Sequence, residues 1–96
     1  MTTIGKAVGA IISGDYKRLT YTMEGNTLIF EVPLRERDSC IVVCCVRIDN
    51  NELTIWRAGK NEPLKMLDSD PELVPKLKAW MAANVSDFID LAETLW

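Results

Sequence analysis

Two tight-turn signals divide the middle of this 96-residue chain into strands. Gly25-Asn26 and Asn50-Asn51 are residue pairs that tolerate the positive φ angles of two-residue hairpin loops. The segments on either side alternate apolar and polar residues, as the strands of a half-buried sheet do. No gap between them could hold a crossover helix, so the sequence predicts a four-stranded antiparallel meander. The predicted strands are residues 17–24, 27–34, 40–49 and 52–59.

The register that the turns imply places apolar side chains on one face of the sheet. The first turn puts Tyr21 opposite Phe30. The charged loop after Leu34 puts Val32 opposite Val42. A slip of one residue would scatter the apolar set over both faces, so its agreement across three connections favours this register. The predicted inner face carries Leu19, Tyr21, Met23, Leu28, Phe30, Val32, Val42, Cys44, Val46, Ile48, Leu53 and Ile55.

Helical patterns precede and follow the predicted sheet. Residues 3–13 space their apolar side chains as a helix does, and Gly14 follows as a stop signal. Residues 71–95 carry a second helical stripe, which the polar residue Asn84 interrupts. The pattern leaves open whether this second segment is one kinked helix or two helices.

These elements predict a single α+β domain over residues 1–96. It consists of a four-stranded antiparallel meander sheet, a short N-terminal helix and a C-terminal helical segment packed on one face of the sheet. Pro63 argues against a fifth strand in the connection between residues 60 and 68.

The residue types that the chain lacks exclude several kinds of site. It contains no histidine, which excludes a Ser-His-Asp triad, a Cys-His pair and histidine-bound zinc. Its formal net charge is −3, whereas a nucleic-acid-binding surface needs clustered positive charge. No glycine-rich phosphate loop or other catalytic motif occurs. We therefore expect a protein that is not an enzyme, with no cofactor, no metal and no nucleic-acid partner.

The apolar segments are too short to cross a membrane. The longest uninterrupted apolar stretch, residues 40–46, has seven residues, whereas a spanning helix needs about 20. Met1 to Ile4 carry no lysine or arginine, and Lys6 interrupts the apolar region that a secretory signal requires. We therefore expect a cytoplasmic protein without a membrane partner.

All three cysteines lie in the third predicted strand. Cys40 and Cys44 would be roughly 13 Å apart, beyond the roughly 7 Å that a disulfide allows between Cα atoms. Cys44 and Cys45 are adjacent and would point to opposite faces. A single cluster on an extended segment also lacks the paired knuckles of a structural zinc site. We therefore expect three small, buried side chains without special reactivity.

The outer face of the predicted sheet is apolar at its centre, where an antiparallel sheet normally presents polar side chains to water. The register aligns three apolar side chains with Thr22 in one row, and two more flank them. Either the helix at residues 3–13 covers this face and makes a third layer, or the face is open and binds a protein partner. The candidate interaction residues are Trp56, Ile29, Ile41, Val43 and Cys45.

Three charged groups are weaker candidates. The loop Arg35-Glu36-Arg37-Asp38 could grip an acidic partner, but mixed charge is also typical of a soluble turn. Asp68, Asp70 and Glu72 lack the calcium-binding EF-hand pattern and fit helix capping better. Residues 67–96 hold six acidic and two basic residues, a net charge of −4, and could present an acidic helix face to a basic partner.

Protein binding is the function that these features favour. We expect a non-catalytic inhibitor, adaptor or chaperone-like module that forms a homodimer through the apolar sheet face or binds a partner through the acidic helix face. The alternative is a small-molecule-binding domain, in which Arg57 would meet a ligand carboxylate on the inner face of an edge strand. Its candidate pocket residues are Tyr21, Phe30, Arg57 and Trp80.

Overall fold

The chain folds into one helix, a meander of strands and two further helices. The computed structural model describes residues 2–34, 39–60 and 62–95, with the backbone alone for residues 92–95. The helices are α1 (Thr3–Ala10), α2 (Leu73–Asn84) and α3 (Ser86–Leu95). The strands are β1 (Thr20–Glu24), β2 (Thr27–Pro33), β3 (Cys40–Asp49), β4 (Glu52–Arg57) and β5 (Leu64–Leu67).

The strands form one antiparallel sheet in the order β1-β2-β3-β4-β5, so the predicted meander is confirmed. Gly25 and Asn50 have φ angles of 61° and 52°, as the two hairpin turns require. The sheet has five strands rather than four, because Leu64 pairs with Ile55 and continues the meander. Pro63 stands just before β5, where its missing N–H removes no hydrogen bond from the ladder.

A β-bulge in β3 changes the register beyond Cys44. Phe30 pairs with Cys44, but Glu31 pairs with Val42, so Val43 is an extra residue in β3. Val43 and Cys44 are consequently both buried, although they are neighbours in a strand. Val32 pairs with Ile41 instead of Val42. The predicted pairing of Val32 with Val42 is therefore wrong, because the inserted residue reverses the alternation of faces.

All three helices pack on the same face of the sheet. Val8 of α1 and Leu77 of α2 belong to one core with Phe30 and Ile55 from the inner sheet face. The domain therefore has two layers, and the hypothesis that residues 3–13 cover the outer face is wrong. The helical stripe of those residues is apolar enough to fit either face, and its sequence does not specify which one.

The C-terminal segment forms two helices, which answers the question that its sequence pattern left open. The interruption lies where the apolar stripe breaks, between Asn84 and Ser86. The Asn84 side-chain amide donates to the Trp80 carbonyl at 2.9 Å, and Val85 between the helices is fully buried. The change of direction brings α3 against β2.

The turn between β5 and α2 also holds α1 in place. The backbone N–H of Ile4 donates to Oδ1 of Asp68 at 2.7 Å, and that of Gly5 donates to Oγ1 of Thr2 at 3.0 Å. Asp70 accepts from the Glu72 backbone at 2.8 Å and from Lys76 at 3.0 Å, and these bonds lower the pKa of its carboxyl group. The expectation that these carboxylates cap the helix that follows them is therefore wrong: the N-cap of α2, Glu72, makes no side-chain cap hydrogen bond, and Asp68 satisfies the first turn of α1 instead.

Replacing the two neighbouring valines one at a time tests the bulge. Val43→Ala removes a fully buried side chain and is expected to lower the free energy of unfolding by about 2 kcal/mol. Val42→Ala removes a side chain that is 39% exposed and is expected to lower it by less than about 0.5 kcal/mol. Equilibrium unfolding in urea measures both changes. A regular strand without the bulge would give the opposite order.

Candidate functional site

The outer face of the sheet carries an apolar row that no helix covers in the described parts of the chain. The strand pairings align Thr22, Ile29, Cys45 and Trp56 in one row, as the sequence predicts. The last three side chains are partly buried by their neighbours in the sheet, and none of them packs against the core. We call Ile29, Cys45 and Trp56 the apolar row.

A polar row of five residues runs beside the apolar row and spans all five strands. It consists of Glu24, Thr27, Arg47, Thr54 and Lys65. An acidic side chain therefore lies at the β1 edge and a basic one at the β5 edge. Arg47 in the middle forms an ion pair with Asp49 of its own strand at 2.7 Å.

Two of the predicted interaction residues do not lie on this face. Val43 is in the core, and Ile41 packs against the core from the inner face, because the bulge turns both inward. Val42 takes their place on the outer face. Leu67, which is 54% exposed, extends the face at the edge formed by β5. Sequence reasoning missed Leu67 and Lys65 because it did not predict β5.

The four residues of the predicted pocket make separate contacts within the protein. The Tyr21 and Phe30 rings are 6.3 Å apart between centroids, and Phe30 is only 1% exposed. Trp80 packs against the core. Phe30 thus fills the space between sheet and helices in which the pocket was expected.

Arg57 lies on the inner face, as predicted, opposite Cys44. Its strand is not an edge strand, because β5 follows it. The Arg57 guanidinium lies over the Phe88 ring, with its central carbon 4.5 Å from the ring centroid. Its Nε is buried and has no hydrogen-bond partner in the described part of the chain. The contact with the Phe88 ring places the Arg57 side chain against α3.

The three cysteines are free thiols in three different surroundings, so the expectation that all are buried is wrong. Burial raises the pKa of the Cys44 thiol to about 12. Partial burial, with a smaller contribution from the Glu24 carboxylate, raises the pKa of Cys45. Cys40 is exposed and donates its S–H to the Glu31 carboxylate, which raises the pKa of this thiol. None of the three is thus activated as a nucleophile at neutral pH.

The remaining charged candidates form no common site. The described residues contain no group of three or more cysteine and carboxylate side chains placed to hold a metal ion. The acidic side chains described between residues 67 and 91 divide between the turn before α2 and helix α3, where Asp87 and Asp90 lie. The loop Arg35-Glu36-Arg37-Asp38 lies outside the described residues. Among the helices described, none is both long and apolar enough to span a bilayer.

Comparisons with known proteins assign no family to this fold. No protein-family model, no curated protein and no solved structure matches the chain. The function is therefore inferred from the geometry of the chain's own residues.

The contact between Cys40 and Glu31 predicts how the cysteines react. Glu31→Gln removes the negative charge that stabilises the protonated thiol, so the pKa of Cys40 falls and its alkylation at about pH 8 becomes faster. Cys44 is expected to react only when the protein unfolds. Peptide mass spectrometry after timed iodoacetamide labelling measures each site separately. The control is Glu24→Gln, which should leave the Cys40 rate unchanged; an equal rate in Glu31→Gln would contradict the assignment.

Proposed function

We propose that this protein is a cytoplasmic, non-catalytic protein-binding module that forms a homodimer through the outer face of its sheet. The observation that carries the proposal is the placement of all three helices on one face, which leaves the apolar row on the other. A contiguous apolar patch on a protein surface typically marks an interaction site. Trp56 is the largest side chain of the row, and tryptophan is a frequent anchor at interfaces.

A second copy is the partner that the arrangement of this face favours. A two-fold axis in the plane between two facing sheets, parallel to β3, exchanges the β1 side of one copy with the β5 side of the other. Ile29 of one copy then faces Trp56 of the other, and Cys45 faces its own counterpart. The apolar row is therefore complementary to itself under this rotation.

The charges of the polar row follow the same symmetry. The rotation places Glu24 of one copy opposite Lys65 of the other, and does so twice in the dimer. Arg47 would lie near its own counterpart, but its ion pair with Asp49 compensates its charge. A two-fold axis perpendicular to the strands would instead place Glu24 near a β1 threonine. The charges therefore favour the axis parallel to β3.

The size of the face predicts a weak dimer. Five strands at about 4.8 Å spacing span roughly 24 Å, and the seven residues of β2 span about 23 Å. Each copy would thus contribute about 550 Å², or about 1,100 Å² for the pair, which is close to the lower limit of specific interfaces. The helices stay on the outside of such a dimer, where an inhibitor, adaptor or chaperone-like module would meet a further partner.

Substitution of the apolar row tests the interface directly. Trp56→Asp and Ile29→Asp each place a charge where the other copy would pack, and each is expected to convert a concentration-dependent dimer into a folded monomer. Light scattering over a concentration series measures the mass, and circular dichroism measures the fold. The control is Leu91→Asp, which puts the same charge on an exposed apolar position of α3. A wild-type protein that stays monomeric at every concentration would overturn the proposal.

Charge exchange tests the orientation of the two copies. Glu24→Lys and Lys65→Glu each bring like charges together across the proposed axis, so each is expected to weaken the dimer on the order of tenfold. The double variant restores opposite charges and should recover the wild-type dissociation constant. Sedimentation equilibrium at low ionic strength measures all three constants. Additive weakening in the double variant would contradict the parallel axis.

A further inference from the structure

A cleft of about 270 Å³ lies between α1 and α2, on the layer of the molecule opposite the proposed dimer face. Ile11, Leu77 and Met81 line its floor and are all buried, and the partly buried Val74 also lines it. Lysine side chains line it from both helices, Lys6 from α1 and Lys78 from α2. None of the four predicted pocket residues lines this cleft.

Small residues on α1 explain why the cleft is empty of side chains. Ala7 and Ala10 line it, and each contributes a single methyl group. A π-helical turn, Ile11–Asp15, continues α1 and is kinked at Gly14, whose φ angle of 113° is not helical. The chain then reverses and brings Tyr16 to the cleft.

The charges around the cleft select the sign of a ligand. Lys6, Lys78 and Asp15 are the charged residues among those that line it, so together they carry a net charge of +1. The ion pairs found in the described residues involve neither Lys6 nor Lys78. Burial and then the nearby Asp15 raise the pKa of Tyr16, so its phenol stays protonated as a hydrogen-bond donor. Donors and positive charge at the rim of an apolar cavity are the features that an amphipathic anion requires.

We propose that this cleft binds a small organic anion with a hydrocarbon tail, of the class of medium-chain carboxylates. The tail lies against Ile11, Leu77 and Met81, and the carboxylate lies between Lys6 and Lys78. The volume corresponds to roughly nine water molecules at about 30 Å³ each, which suits a short chain rather than a long-chain lipid. This site is additional to the proposed dimer face and shares no residue with it.

Titration calorimetry with decanoate, decanol and decylammonium tests the ligand class. Decanoate, used below the concentration at which it forms micelles, is expected to bind with one site per chain. Decanol should bind on the order of tenfold more weakly, and decylammonium more weakly still. Equal affinity for the three probes would overturn the proposal, since the lysines would then select nothing. No binding of decanoate would overturn it as well.

Two pairs of variants locate the site. Ala10→Leu fills the cleft and is expected to abolish decanoate binding, whereas Ala82→Leu on the exposed side of α2 should bind like the wild type. Lys78→Met should weaken binding on the order of tenfold, whereas Lys76→Met, whose lysine pairs with Asp70, should not. If Ala10→Leu does not fold, the comparison of Lys78→Met with Lys76→Met still tests the site. Unchanged affinity in both Ala10→Leu and Lys78→Met would overturn the assignment.

A further measurement separates this site from the sheet face, which is also apolar. Decanoate should bind Trp56→Asp as tightly as the wild type, whatever the oligomeric state of either protein. Loss of binding in that variant, with retention in Ala10→Leu, would place the ligand on the sheet and overturn the proposal. Light scattering with and without decanoate should give the same mass. The result for the cleft is then independent of the result for the dimer.

Discussion

Burial of the inner sheet face under three helices is the interaction on which the rest of the structure depends. Phe30, Val46 and Ile55, on the inner face of the three central strands, are at most 1% exposed. Removing each such large side chain from water contributes about 1.5–3 kcal/mol, which is large beside the marginal net stability of a domain. A two-stranded hairpin alone cannot bury these side chains and gain this free energy, so the sheet and the helices must form together. The outer face contributes nothing comparable unless another molecule covers it.

Helix α1 packs on the inner face of the sheet and therefore does not cover the outer face. Its N-terminal N–H groups are satisfied from two directions, by Thr2 in its own chain segment and by Asp68 in the turn that precedes α2. Because Asp68 follows β5 directly, this contact ties α1 to the side of the sheet on which α2 lies. A helix with two glycines needs such tertiary support, since each glycine costs about 1 kcal/mol relative to alanine. The packing of α1 beside α2 also forms the cleft between these helices, which the small side chain of Ala7 leaves unfilled.

The meander, both hairpin registers and the row from Thr22 to Trp56 follow from the sequence, because turn residues and alternation determine them locally. The bulge at Val43 does not, since an inserted valine resembles its neighbours and only the packing of both sides of β3 requires it. The sequence does not predict β5, because Pro63 argues against a strand at its own position, whereas β5 starts at the next residue. The sequence also does not predict on which face of the sheet α1 packs, because this depends on a hydrogen bond between residues 64 positions apart.

The cysteines show how tertiary placement, rather than residue type, sets chemistry. Cys44 and Cys45 are neighbours in sequence, yet one belongs to the core and the other to the outer face. Under the proposed two-fold axis Cys45 would face its own counterpart at the centre of the interface. A thiol is small and weakly polar, so it permits two sheets to approach closely without leaving a strong hydrogen-bonding group unsatisfied. A charged or large polar residue at that position would oppose the dimer, which makes cysteine there consistent with a face that alternates between water and a second copy.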